Sequence, residues 1–341
     1  MPTCIRSYSK INLGLAIGRA RQDGFHSLTT LYQTLELHDL VTVEASPANA
    51  TRIVLSSNDQ RVPADGRNTA WKMVERALDR MKVTAQVSIH IEKRLPVQGG
   101  MGAGSANAAA ALIGLERELG ASLPGPERLE LAAEIGSDVP LFLLGGSILG
   151  LGRGEQVFPF PDLPAFPAVI AIPEVGVSTP QAFRDWDELT QDGKPDRLNE
   201  LSLAYASLYA EPGTSGIIRG SRPGNQQGGF ENSQGGQQDD LAENTLLSLV
   251  RTGVENDFER VVFPAYPSLR EIKRQLMGNP GHESGGALYA ALSGSGSALF
   301  GLYRSTADAR QAQQRVQDAG TKALITSTLP RSLYWTRMFA E

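Results

Sequence analysis

Three short segments gather residue types that can bind anions and move protons. The first, Pro96-Val-Gln-Gly99-Gly100-Met-Gly102-Ala-Gly104-Ser105, runs straight into an alanine-rich stretch. Glycines let a backbone turn sharply and bring its N–H groups against a ligand with no Cβ in the way. A helix start behind them adds unpaired donors and the positive end of a dipole, a natural seat for phosphate. The loop lacks the Gly-Lys-Ser/Thr ending of a P-loop, and its spacing is not Gly-x-Gly-x-x-Gly. Taken alone, it reads equally as a tight turn with Gly104 or Ser105 capping the helix. The second segment is Lys10-Ile-Asn12, and the third is Gly136-Ser-Asp138-Val-Pro140. The Asp138 carboxylate is a candidate to accept a proton. Taken alone it reads first as a helix cap, with Val-Pro following it. A lysine beside that carboxylate would keep it ionised and stabilise negative charge developing nearby. By itself, Lys10 reads as an exposed strand lysine.

The elements that must carry these groups follow from periodicity. Ile11, Leu13, Leu15 and Ile17 alternate with Lys10, Asn12, Gly14 and Ala16, as in a half-buried strand. Lys10 and Asn12 then share the face opposite the apolar one. Asp23-Gly24 signals a hairpin turn, directly before Phe25 and His26. Further strands are expected at residues 40–45 and 85–91, and helices at 69–81, 106–119 and 126–135, the last with Pro126 near its start and Gly136 past its end. The proline-dense stretch 159–173 places a domain boundary near its start, giving domains 1–160 and 161–341. Residues 211–240 are rich in Gly, Gln, Asn and Ser with almost no large apolar side chains, the composition expected of a flexible insertion. Structure is expected again from 241 with helix-like stretches, then a strand at 287–292, a second apolar run at 298–303 and a polar helix over 306–319. There is no internal repeat.

Composition narrows the classes. The chain has 341 residues, enough for two domains, and 32 Lys and Arg against 37 Asp and Glu, a formal net charge of −5. That balance argues against general nucleic-acid binding, which rests on surplus cations. The lone Cys4 excludes an internal disulfide, and His26, His38, His90 and His282 show no metal-ligand spacing. The most apolar run, residues 139–151, is too short to cross a bilayer. Arg6, Lys10 and Asn12 sit where a signal peptide would be apolar. These features describe a cytoplasmic, globular protein without a membrane partner.

Lys10-Ile-Asn12, the glycine loop, Gly136-Ser-Asp138-Val-Pro140 and Leu292-Ser-Gly294-Ser-Gly296-Ser-Ala298 together, in this order, resemble the signature of the GHMP kinases. Ser9-Lys10-Ile-Asn12-Leu, Asp23-Gly-Phe25-His26-Ser-Leu, Asn68 and Lys93-Arg-Leu-Pro96 are similar to the branch that phosphorylates the 2-hydroxyl of a cytidine-diphosphate-linked methylerythritol in the non-mevalonate isoprenoid pathway. The likeness is dense over residues 5–160, thin to 285, and returns around 293–297. Gln98 replaces the usual third consecutive glycine, Ala103 and Ala106 replace a common Gly and Ser, and Phe25 stands where Tyr is commoner.

The resemblance implies an α+β fold of two domains, ribosomal-S5-like then ferredoxin-like, with the active site between them. It implies ATP and Mg²⁺, the latter without marking its ligands, and a cytidine-diphospho-methylerythritol substrate. By the same resemblance Asp138 is the base and Lys10 its partner. Asn12, Phe25 and His26 contact the substrate. Asn68, Lys93, Pro96, Gly99, Gly100, Gly102, Gly104, Ser105 and Asn107 line the nucleotide side. For Lys93 an ordinary end-of-strand charge, for Asn107 a helix cap and for Asn12 a backbone bond are the plainer readings. The 293–297 loop reads as a structural turn packed against the site. Two alternatives stay open: a GHMP kinase with another alcohol acceptor, which would lack a use for Phe25-His26, and a non-catalytic nucleotide-binding module.

Overall fold

In the computed structural model, β1 (Thr3–Ala20) and β2 (His26–Pro47) form one long antiparallel hairpin that turns at Asp23-Gly24. Gly24 N–H donates to Arg21 O at 3.1 Å, and Arg21 N–H to Phe25 O at 2.6 Å. The structure describes residues 1–96, 99–190, 198, 203, 255–278 and 285–340. The insertion expected at 211–240 and the start of the segment from 241 lie outside these described residues.

Among the described residues, the hairpin is the centre of a seven-stranded sheet. β3 (Arg52–Ser57) runs parallel to β4 (Ala85–Glu92), and β4 pairs with β2. β5 (Ser147–Leu151) joins the other half of β2, and β6 (Gln156–Pro159) joins β5. Two helices cover one face. α1 (Thr69–Met81) keeps its expected bounds: Asn68 Oδ1 accepts the Ala70 N–H at 2.9 Å, and Lys82 ends the helix in the left-handed region. Met73, Val74, Ala77 and Leu78 make its buried stripe.

α2 (Ala103–Leu119) is buried on nearly every side, between the sheet and α1, which explains its run of alanines. It begins earlier than the expected 106, and its N-cap is Gly102, with no side chain capping it. Neither Gly104 nor Ser105 is the cap. α3 (Gly125–Ile135) matches the expected 126–135, with Gly136 at its end.

Among the described residues a second sheet follows, of four antiparallel strands: β7 (Pro167–Ile172), β8 (Tyr289–Leu292), β9 (Leu299–Leu302) and β10 (Lys322–Ser327). Their spatial order β10-β7-β9-β8, with α4 (Thr179–Thr190), α5 (Glu259–Ala265) and α6 (Pro267–Met277) before β8 and α7 (Thr306–Asp318) before β10, is a ferredoxin-like βαββαβ arrangement. The expected strand at 287–292 and helix at 306–319 are β8 and α7, each slightly shorter, and the apolar run at 298–303 contains β9. The chain then returns: α8 (Arg331–Thr336) packs Tyr334 into the first core, and β11 (Phe339–Ala340) pairs with β1.

Two expectations need correction. β1 is not half-buried: Ile11 and Leu13 meet Phe166, Ile170, Phe300 and Leu302 of the second unit, while the opposite face is covered as well. Lys10 and Asn12 therefore share their face as expected but are 3% and 2% exposed, so Lys10 is no solvated strand lysine. The strand at 40–45 is only the end of the 22-residue β2. Residues 26–39 include the buried Thr29, Thr30, Gln33 and Thr34, and so show no apolar alternation. The second unit is also tied to β1 by main chain. Leu15 N–H donates to Glu255 O and Asp257 N–H to Leu15 O, both at 2.9 Å, and the Asp257 carboxylate accepts from Ile17 N–H at 2.9 Å.

Candidate active site

Lys10 and Asn12 sit between two irregularities of the β1–β2 register, after Tyr8 and before Gly14. Such bulges re-aim side chains, and they recur beside active sites. Lys10 Nζ donates to Asn12 Oδ1 at 2.7 Å and lies 3.3 Å from Asp138 Oδ2. Asn12 Nδ2 donates to Thr30 Oγ1 at 2.8 Å, and that hydroxyl donates to Gly14 O at 2.8 Å. A buried ammonium is costly unless paired and hydrogen-bonded, and this chain of contacts satisfies it. The plainer reading of Asn12 as a backbone binder is not what forms.

Asp138 caps no helix. The 3₁₀ turn Pro140–Leu143 that follows has Val139 at its cap position, without a side-chain bond. The carboxylate instead takes Lys10 on one oxygen and, on the other, the Tyr32 hydroxyl, which donates to Oδ1 at 3.0 Å. Burial, the Asp138 charge and this hydrogen bond push the Tyr32 phenol well above its ordinary value, so it remains a donor. Asp138 is one-third exposed and opens into a cavity. A carboxylate held on one side and open on the other is arranged to take a proton from a ligand.

The glycine loop lies beside this pair. Lys10 N–H donates to Met101 O at 3.1 Å. Gly102 is at φ +69°, where a Cβ would stand 2.9 Å from Phe142 Cζ and 3.2 Å from Lys10 Cγ. Gly100 is at φ +75°, where a Cβ would collide with the Ser293 carbonyl oxygen. The 293–297 turn packs here as expected: Ser293 Oγ donates to Gly100 O at 3.0 Å, and Ala298 N–H to Gly99 O at 3.3 Å. Asn256 Nδ2 holds that turn through Leu292 O and Gly294 O. The uncapped start of α2 leaves amide donors for an anion.

Two cavities meet at Gly100, Thr179 and Ser295, where Thr179 Oγ1 and Ser295 Oγ are 2.6 Å apart. One, of about 550 Å³, is lined by Gly99, Gly100, residues 176–179, Ser295 and Gly296. The other, of about 670 Å³, has Lys10, Asn12 and Asp138 at one end and Phe25, His26 and Phe183 at the other, with Arg153 and Arg184 also on its wall. Phe25 is half exposed, and the Arg153 guanidinium lies 4.7 Å from its ring centre. His26 turns inward, buried and stacked on Phe183.

Lys10, Asn12, Phe25, His26, Gly99, Gly100 and Asp138 thus come together. Asn68, Lys93, Pro96, Gly102, Gly104, Ser105 and Asn107 line neither cavity. The Asn68 amide is occupied by the α1 cap and by Pro63 O. The Lys93 ammonium is paired with the fully buried Asp39, whose other oxygen accepts the Arg94 and Leu95 N–H groups. Asn107 does not cap α2; its Oδ1 accepts from Ser7 Oγ at 2.7 Å. Gly104 O accepts from Thr69 Oγ1 at 2.7 Å, tying the starts of α1 and α2. Tyr32, Arg153, Thr179, Phe183 and Asp187 escaped the sequence reading. Only Tyr32 had a usable signal, because folding the hairpin back from Asp23-Gly24 sets it opposite Asn12.

Residues 68–146 match the GHMP kinases N terminal domain, and residues 237–322 match GHMP kinases C terminal. A Solibacter usitatus protein named 4-diphosphocytidyl-2-C-methyl-D-erythritol kinase is 34% identical, over 99% of this chain and 93% of its own. One of the same name from Caldicellulosiruptor saccharolyticus is 29% identical, over 97% and 98%. A crystal structure of a 4-(cytidine 5'-diphospho)-2C-methyl-D-erythritol kinase superposes with TM-score 0.65 at 26% identity, covering 95% of this chain and 98% of that one. Homoserine kinase from Cytophaga hutchinsonii shares the fold, with TM-score 0.63 at 19% identity over 97% and 96%.

Proposed function

We infer, for a chain that belongs to the 4-diphosphocytidyl-2-C-methyl-D-erythritol kinases of the GHMP superfamily, that one cleft seats ATP at the glycine loop and the cytidylated alcohol against Lys10 and Asp138. The chain is an ATP-dependent kinase of small molecules. The observation that carries the assignment of roles is the joint wall of the two cavities. A γ-phosphate held at Gly99–Gly100 would lie next to a hydroxyl held at Asp138.

In this reading the 2-hydroxyl oxygen forms the new bond to the γ-phosphorus as the bond to the β-bridging oxygen breaks and ADP leaves. The hydroxyl proton passes to Asp138. Tyr32 and Lys10 hold that carboxylate in place, and Lys10 also stabilises charge on the transferring group. The loop amides and the start of α2 face the phosphates. Mg²⁺ binds chiefly through phosphate oxygens and one or two protein oxygens. The Ser105 hydroxyl, in the first turn of α2, is the protein group we assign to it. When bound, it draws charge off the β- and γ-phosphates.

Phe25, His26 and Phe183 are assigned to the cytosine, and Arg153 and Arg184 to the diphosphate between base and tetritol. We assign Gly102 and Gly104 to the loop's shape, Pro96 to its entry, and Asn68, Lys93 and Asn107 to its supports. We also propose residues 1–160 and 161–341 as the two domains, with β11 returning to β1, and a cytoplasmic location where ATP is at hand. Among the described residues no helix is long and apolar enough to cross a membrane.

The test is a panel of alcohols with ATP: the cytidylated tetritol, its uncytidylated parent, homoserine and mevalonate. The cytidylated tetritol is expected to give the highest kcat/KM by orders of magnitude. Comparable values for the parent would remove the cytosine assignment.

A further inference from the structure

The base end of the cavity contains a contact that the reaction itself does not explain. His26 opens β2, with its ring buried and stacked on Phe183 of α4 at 4.6 Å between centroids and 12° between planes. Its Nε2 lies 2.7 Å from Oδ1 of Asp187, one turn further along α4. An ionised carboxylate only accepts hydrogen bonds. For the neutral imidazole, the ring hydrogen therefore sits on Nε2, and Nδ1 is left with a lone pair. No described residue bonds Nδ1, and His26 lines the cavity.

The consequence concerns which pyrimidine fits. Cytosine carries an amino donor at C4, where uracil carries a carbonyl acceptor; stacking on an aromatic ring does not separate the two. An acceptor nitrogen facing that position attracts the amine and repels the carbonyl. We infer that Asp187 is a positioning residue for base choice: by holding the hydrogen on His26 Nε2, it makes Nδ1 an acceptor that selects cytosine over uracil. Asp187 acts through its bond to His26, and its place on α4 makes the second unit responsible for a preference expressed on the first. The inference rests on the substrate reading above. A bare clasp between α4 and the hairpin is the competing explanation, and it would act on both bases equally.

The experiment compares kcat/KM for cytidylated and uridylated tetritol at about pH 8 in wild type and Asp187→Asn. An amide presents either a donor or an acceptor, so the variant keeps a clasp but frees the tautomer. The cytidine-to-uridine ratio is expected to fall about 10-fold or more, with KM for ATP unchanged. Nitrogen-15 NMR of wild-type His26 is expected to show the hydrogen on Nε2. An unchanged ratio with KM raised equally for both substrates would overturn the inference, leaving only a clasp. Wild-type protein with the hydrogen on Nδ1 would overturn it without any variant. No turnover of the cytidylated alcohol by wild type would instead overturn the substrate reading, and this inference with it.

Discussion

Replacing Asp138 by Asn exchanges one carboxylate oxygen for an amine and tests the base assignment at nearly constant shape. In the native site Oδ2 faces Lys10 Nζ at 3.3 Å and Oδ1 accepts from Tyr32 at 3.0 Å. The amide can keep its oxygen toward Lys10 and turn its amine to Tyr32, whose hydroxyl oxygen then accepts. Lys10 also keeps Asn12 Oδ1 at 2.7 Å. Asp138 is one-third exposed, so solvent screening holds the ground-state cost to about 1 kcal/mol, or a Tm decrease of about 2–4 °C. The chemical step loses its proton acceptor. General-base help is worth about 10²- to 10⁴-fold, or about 3–5 kcal/mol of barrier. The assay separates the two costs: kcat from ADP release at saturating substrates, ATP affinity from calorimetry. The expected pattern is a kcat lowered by two to four orders of magnitude with ATP Kd nearly unchanged. Turnover close to wild type, or a loss confined to ATP affinity, would refute the reasoning.

Gly100→Ala drives a Cβ against the Ser293 carbonyl at a positive φ, and parting the two loops is expected to lower kcat/KM for ATP about 100-fold, the scale of a misplacement of about 1 Å, in steady-state kinetics. Lys93→Met strands the buried Asp39, so it is expected to cost about 3–5 kcal/mol in denaturant unfolding while the folded fraction keeps its KM for ATP. A raised KM with unchanged stability would return Lys93 to the nucleotide. His26→Ala removes the ring stacked on Phe183, and kcat/KM for the cytidylated alcohol is expected to fall about 10- to 100-fold while ATP Kd holds, by the same calorimetry.

The fold was legible wherever one face of an element meets solvent. α1 and β4 carry clean periodicities, and each is found at or within one residue of its expected bounds. β1 and β2 sit between two layers, so burial no longer marks a face, and the polar side chains inside β2 hid its first fourteen residues. The start of α2 was misplaced because the cap is a left-handed glycine and not a side chain. At the site, motif resemblance pointed to Lys10, Asn12 and Asp138, and the structure sets them in contact. The ammonium of Lys93 could not be placed from sequence, because Asp39, its partner, gave no local sign of full burial. Asp187 is 161 residues from His26, and no local pattern carries such a pairing.

The central claim is that the hydroxyl held at Asp138 receives the γ-phosphate while the base end grips cytosine. Phosphorus-31 NMR of the product formed from ATP and the cytidylated tetritol tests it most directly, with proton–phosphorus couplings locating the new ester. The account predicts a third phosphorus, a monoester on the 2-hydroxyl of the tetritol, appearing one-for-one with ADP. Free phosphate in place of that ester, or an ester at another hydroxyl, would contradict it.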